Sequence, residues 1–194
     1  MMNRKQLQNA AVFALLVSAG VGLRIAFQSL PNFAPVAALA LFAGYYFRTT
    51  AIAIAVPLLV MAISDRVIGG YDGAVMFAVY ASLSLPVAMR WIVRRYTDLG
   101  SNRLPAILRS GATILSCSLV ASLLFFVATN FAVWSFSELY TNSWAGLTAC
   151  FTQALPFFRY TVAGDLVFAT ALFGSYAFCL RFANSTQPDV ATQS

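Results

Sequence analysis

The chain has 194 residues, 60% of them hydrophobic and only 9% charged, and its mean hydropathy is +0.78. A soluble domain is about 45–50% apolar and about 25% charged, so the ionic surface needed to cover a soluble core is missing. This excludes the soluble globular and disordered classes and leaves the membrane class, with room for one compact bundle. The net charge is +6, from 12 Lys and Arg against 6 Asp and Glu. The basic residues sit at the ends of apolar runs, where they read as topology signals and lipid headgroup contacts rather than a nucleic-acid surface.

A hydrocarbon core about 30 Å thick needs roughly 20 helical residues. Six candidate spans occur in chain order, at about Asn9–Phe27, Pro35–Phe47, Ala51–Arg66, Gly73–Val93, Ile107–Asn130 and Tyr160–Phe182. Arg4 and Lys5 precede the first, but no small-x-small cleavage site leads into a polar mature region, so the first span reads as a retained helix. The second and third are short, and only Arg48, Thr49 and Thr50 separate them. A single helix through Arg48 would place a charge near mid-bilayer at a cost of several kcal/mol, so a tight hairpin is expected there. Pro31 and Pro35 break the chain ahead of it, and Pro57 is placed to kink the third span. Runs such as 74–81 and 119–128 show little alternation of polarity, which rules against strands of a closed barrel. The expected fold is therefore an all-α, polytopic transmembrane bundle over residues 1–183. A polar cytoplasmic tail over 184–194 comes after it.

Orientation is set by Lys and Arg placement. With the N-terminus inside, six spans put Arg4, Lys5, Arg48, Arg90, Arg94, Arg95, Arg103, Arg109 and Arg181 on the cytoplasmic side and leave Arg24, Arg66 and Arg159 outside. Both termini are then cytoplasmic, in a bacterial inner membrane.

The outer half gathers Arg24, Asp65, Arg66, Asp72, Glu138, Arg159 and Asp165. Ionisable groups at such depth face a bundle interior or a wet cavity and pair with one another. Two readings stay open: ion pairs closing the helix ends, or a polar cavity holding a small solute. Asn32, Asn130 and Trp134 converge on the same layer. On the second reading the substrate-binding residues are Arg24, Asn32, Asp65, Asp72, Asn130, Trp134, Arg159 and Asp165. The stretch 131–158 is aromatic and long for an external loop, and residues 142–155 are expected to lie flat at the interface or to cap the pocket. Gly69, Gly70 and Gly73 around Tyr71 and Asp72 predict a tight turn.

Several chemistries are set aside. No histidine is present, which removes Ser-His-Asp and Cys-His catalysis and His-ligated metal. The three cysteines, Cys117, Cys150 and Cys179, are odd in number inside apolar runs and make neither a disulfide framework nor an expected metal site. Lys5 is the only lysine and no Gly-Lys-Ser/Thr occurs, so the chain has no phosphate loop of its own. No cofactor and no enzymatic activity are expected. A remote alternative is an intramembrane aspartyl protease, since Tyr71-Asp72 and Gly164-Asp165 faintly echo the paired motifs of presenilin-like enzymes, with Val162 where an earlier glycine belongs. A structural or assembly role without ligand is the other alternative. On the first helix, Ala10, Ala14, Ser18 and Gly22 recur every four residues, a spacing that serves close packing within the bundle or docking to a partner subunit.

The strings Pro31-Asn-Phe-Ala-Pro-Val-Ala-Ala-Leu-Ala-Leu-Phe-Ala-Gly44, Val56-Pro-Leu-Leu-Val-Met-Ala-Ile-Ser-Asp-Arg66 and Phe125-Phe-Val-Ala-Thr-Asn-Phe-Ala-Val-Trp134 carry a resemblance, with Leu155-Pro-Phe-Phe158 and Ala163-Gly-Asp165. Together, over roughly 24–174, they resemble an uncharacterised bacterial six-helix integral membrane family described as candidate transport proteins. That family is in turn similar in layout to the S components of energy-coupling factor (vitamin uptake) transporters. The resemblance implies six helices, both termini inside and a pocket near the outer face for a vitamin or other small solute. It also implies that small residues such as Ala10, Ala14 and Ser18 meet an energy-coupling membrane subunit and its ATPases. No vitamin-specific signature is present.

Overall fold

The computed structural model describes residues 3–70 and 72–185; Tyr71 and most of the expected tail, 186–194, lie outside the described residues. The chain is all-α, with no strand among the described residues. Among the described residues seven α-helices form six rods. These are α1 (Arg4–Ala26), α2 (Val36–Tyr46), α3 (Thr50–Ile68), the broken rod α4 (Gly73–Ser84) and α5 (Arg90–Tyr96), α6 (Leu104–Phe136) and α7 (Trp144–Ser185). Five of the rods are long and apolar enough to cross a membrane. Leu, Phe and Val side chains stand exposed along their outer faces, as a lipid solvent permits.

The sixth rod, α2, is different. Its 11 residues span about 16 Å, roughly half a bilayer core. Val36 to Gly44 are all buried, and α2 touches every other rod. Only Phe47, Arg48 and Thr49 join it to α3, and Arg48 is exposed at that turn.

A half-buried helix end leaves carbonyls short of hydrogen-bond partners. Two arginines resolve this. Arg94 Nε donates to Tyr45 O at 2.9 Å and its Nη2 to Phe47 O at 2.7 Å. Arg90 Nη2 donates to Arg48 O at 2.6 Å and to Phe47 O at 3.1 Å, and its Nη1 to Thr50 Oγ1 at 2.6 Å. They are brought there by a break in the fourth rod. Proline in a helix interior removes a donor and clashes with the preceding turn, and around Pro86 the chain tightens into a 3₁₀ turn over Leu85–Met89. Gly44 lets that turn lie against α2, since a Cβ there would sit 3.0 Å from Val87 O and 3.1 Å from Val87 Cα.

α6 and α7 are longer than expected from sequence. At about 1.5 Å per residue they measure about 50 and 63 Å, so both project beyond a hydrocarbon core of about 30 Å. The 131–158 stretch is therefore not a loop. α6 continues to Phe136, and α7 starts at Trp144, where Ser143 Oγ accepts from the Gly146 N–H at 3.1 Å. Residues 142–155 form no separate flat helix. From Trp144 onward they are the first turns of α7, which runs on through Pro156. Their aromatics divide: Phe131, Phe136 and Trp144 are exposed, while Phe151 and Phe158 pack on Phe126 at 5.6 and 4.7 Å between ring centroids.

α1 packs mainly on α3. The contact is made by Leu16 and Gly20, not by the small-residue stripe: Ala10, Ala14 and Ser18 are all exposed. A Cβ on Gly20 would sit 2.6 Å from Leu39 Cδ1 and 2.7 Å from Val60 Cγ2. Gly20→Val is expected to lower stability by about 1–3 kcal/mol through overpacking, read as a fall in the midpoint of thermal unfolding in detergent. Ala14→Val on the open face should leave that midpoint unchanged.

Candidate functional site

Opposite the arginine-bonded C-terminal end of α2, its N-terminal end opens on a cavity of about 360 Å³. Pro35 precedes the helix and offers no side-chain cap. The 27–35 segment folds over this end, with Asn32 in the left-handed region at φ 59°, which asparagine tolerates better than most residues. Phe27, Phe33 and Phe168 form a ring cluster with centroids 5.3–6.1 Å apart. Gly164 lets α7 approach this segment, since a Cβ there would sit 3.3 Å from Ala34 N and Phe33 Cδ2. The next residue of α7 is Asp165.

The cavity walls are mostly aromatic and aliphatic: Phe27, Phe33, Val36, Met61, Val79, Phe125, Phe126, Val133, Ala154 and Phe157. Its polar residues are Arg24, Gln28, Asn32, Thr129, Asn130, Thr161 and Asp165. Four of the eight residues expected at a substrate site, Arg24, Asn32, Asn130 and Asp165, are thus brought together. A fifth, Asp65, stands behind them.

Arg24 and Asp65 form an ion pair at 2.5 Å, between the last turns of α1 and α3. Arg24 Nη1 also donates to Ser64 Oγ. The other oxygen of Asp65 accepts from Tyr80 Oη at 2.8 Å, on α4. The pair is largely withdrawn from solvent, with side chains 15% and 8% exposed. Three rods are tied at this point.

Asp165 is only 3% exposed. Its Oδ2 lies 2.6 Å from Ser122 Oγ on α6, and it forms no ion pair among the described residues. It therefore differs from Asp65: it is a buried acid with one hydroxyl partner and a face on the cavity.

The other three expected residues do not line the cavity. Asp72 caps α4, its Oδ1 accepting from the N–H groups of Ala74 and Val75 at 2.9 and 3.1 Å. An aspartate just ahead of an apolar helix satisfies orphan donors there, and this is its place. Trp134 Nε1 donates to Thr141 O at 3.1 Å and holds the α6–α7 turn. Arg159 is exposed and lies over the ring of Tyr160, 4.8 Å from its centroid. Residue 159 faces outward while Thr161 and Asp165, one turn apart, face in. Asp72 and Asp165 hydrogen-bond to different partners and not to each other, so the shared-proton dyad of an aspartyl protease is not formed.

Sequence reasoning missed Ser122, Tyr80, Ser64, Thr129 and Thr161. Ser122 carried a signal: Ser110, Ser118 and Ser122 fall at multiples of four on α6, and all three are buried. Tyr80 carried none, because its partner lies 15 residues away on another helix.

Fold and site together describe a helical membrane protein with an amphiphilic cavity in the bundle, lined by residues of all six rods and by the segment before α2. Residues 4–187 match the model of a family described as a family of unknown function, DUF6580, and the chain belongs to that family. No curated protein and no solved structure matches it.

Breaking the ion pair leaves a charge unpaired in a low-dielectric layer. Asp65→Ala is expected to cost about 3 kcal/mol or more. The double variant Arg24→Met/Asp65→Leu should recover most of this, measured by unfolding in detergent. A double-variant loss equal to the sum of the losses in Arg24→Met and Asp65→Leu would show that the two side chains act separately.

Proposed function

We propose that the chain is a transport protein for a small solute, or the substrate-capturing subunit of one, and that the solute is held in the cavity at the N-terminal end of α2. The observation that carries this reading is the cavity itself. About 360 Å³ of space lies among aromatic walls, with a few charged and amide groups converging on it. Ligand sites have this composition and fall in this size range. A bundle serving only structure has no need to keep such a space open, because close packing would stabilise it further.

In this reading the end bearing Arg24 and Asp165 faces outward and the arginine-rich end faces the cytoplasm of a bacterial cell, with both termini inside. Arg90 and Arg94 at the α2–α3 turn, and Arg181 donating to Leu99 O, belong to that inner end. The chain has no phosphate loop, so energy comes from an ion gradient or from an energy-coupling membrane subunit with its ATPases. The exposed Ala10, Ala14 and Ser18 face of α1 is the surface such a subunit would use, because small residues permit close helix approach in lipid.

A panel of vitamins and metabolites added to the purified protein tests the reading. One compound at a hundredfold excess over its Kd should stabilise the fold by about 2.7 kcal/mol, and Thr129→Phe, which fills the cavity, should abolish the effect. A panel that stabilises neither form, together with a Thr129→Phe protein more stable than the original, would favour the structural role instead.

A further inference from the structure

We propose that the solute is a small amine, carried with its protonated nitrogen on Asp165 and its apolar body against the phenylalanine walls. This rests on the reading of the cavity as a solute site and assigns the chemistry of its occupant. Charge selects it, and free lone pairs on the hydroxyls of the wall are compatible with it. Among the described residues Arg24 is the only cation on the wall, and Asp65 already balances it at 2.5 Å. A carboxylate or phosphate solute would therefore find no unmatched positive side chain there. Asp165 is the reverse case: a buried acid with a neutral hydroxyl as its hydrogen-bonding side chain and no ion pair among the described residues. The open N-terminal end of α2 contributes about half a positive charge at most, which leaves the acid incompletely balanced.

The neutral polar residues are compatible with this. Thr129 Oγ1 donates to Phe125 O at 2.7 Å, Thr161 Oγ1 to Phe157 O at 3.4 Å, and Asn130 Nδ2 to Phe126 O at 2.7 Å. Each is turned back on its own helix, so the hydroxyl hydrogens are used and lone pairs remain. With its charge matched at Arg24 and the hydroxyl hydrogens of Thr129 and Thr161 spent, the uncharged donors left on the wall are the amides of Gln28, Asn32 and Asn130, and Asp165 is the acid on it with no ionic partner among the described residues. An ammonium group supplies three N–H donors and the missing charge, and the rings accept its apolar part and favour a cation near their faces.

The test uses the full chain in nanodiscs and three probes sharing an indole ring: tryptamine, tryptophol and indole-3-acetate, with ammonium, hydroxyl and carboxylate heads. Dissociation constants are measured by calorimetry near neutral pH. Tryptamine should bind about tenfold more tightly than tryptophol, as a charge-assisted hydrogen bond implies, and indole-3-acetate should bind most weakly. Asp165→Asn should erase the preference for tryptamine and leave tryptophol binding intact. Equal affinities for tryptamine and tryptophol, or tighter binding of indole-3-acetate, would overturn the proposal. If Asp165→Asn does not fold, the ranking of the three probes on the unsubstituted chain decides alone. Tryptophol binding that is lost in Thr129→Phe, without an amine preference, would sink the amine assignment and leave the solute pocket standing. No binding of any probe also overturns the amine assignment, and the metabolite panel then decides the pocket separately.

Discussion

A short apolar helix that ends half-buried among its neighbours has last carbonyl groups that need donors, and much of this fold is arranged around that fact. α2 is enclosed by every other rod, so its last carbonyls need donors from within the chain. Arg90 and Arg94 supply them. Arg90 and Arg94, one turn apart on α5, share the face that meets this helix end. The 3₁₀ turn at Pro86, just ahead of them, brings its backbone against Gly44. Proline, glycine and two arginines are thus one device, spread over some fifty residues of chain and aimed at one row of oxygen atoms.

The opposite end of α2 receives no comparable set of partners. Pro35 leaves it uncapped, and the chain ahead of it arches over with Asn32 in a left-handed conformation. The space beneath is not filled by a large side chain. It is walled by rings and reached by Asp165 of α7 and by Arg24 of α1, whose own carboxylate partner Asp65 lies outside the wall. The two ends of the same helix are therefore treated in opposite ways, one closed by charge and the other left open.

Composition and run length made the helical membrane class legible, because lipid demands apolar stretches and tolerates few charges. The gathering of Arg24, Asp65 and Asp165 at one level was legible for the same reason. Facing was harder. Asp72, Trp134 and Arg159 share that level, yet each is spent locally: a helix cap, a turn, a ring contact. Level is obtained by counting along an apolar run, whereas facing depends on how neighbouring rods rotate. The extension of α6 and α7 past the bilayer was hidden too. Their aromatic ends look like an interfacial loop in composition, and hydropathy reports burial in lipid, not helicity in water. The small stripe on α1 was read by spacing alone, and packing chose Gly20 instead, where two neighbouring side chains leave no room for a methyl group.

α1 is held along one seam by α3 and clasped at its end through Arg24, while the rest of its surface is open. Along α1, Arg24 and Ala10 stand about 20 Å apart. The residue that borders the cavity and the small residues that face outward thus belong to one continuous rod, which joins the cavity wall to the open side of the bundle.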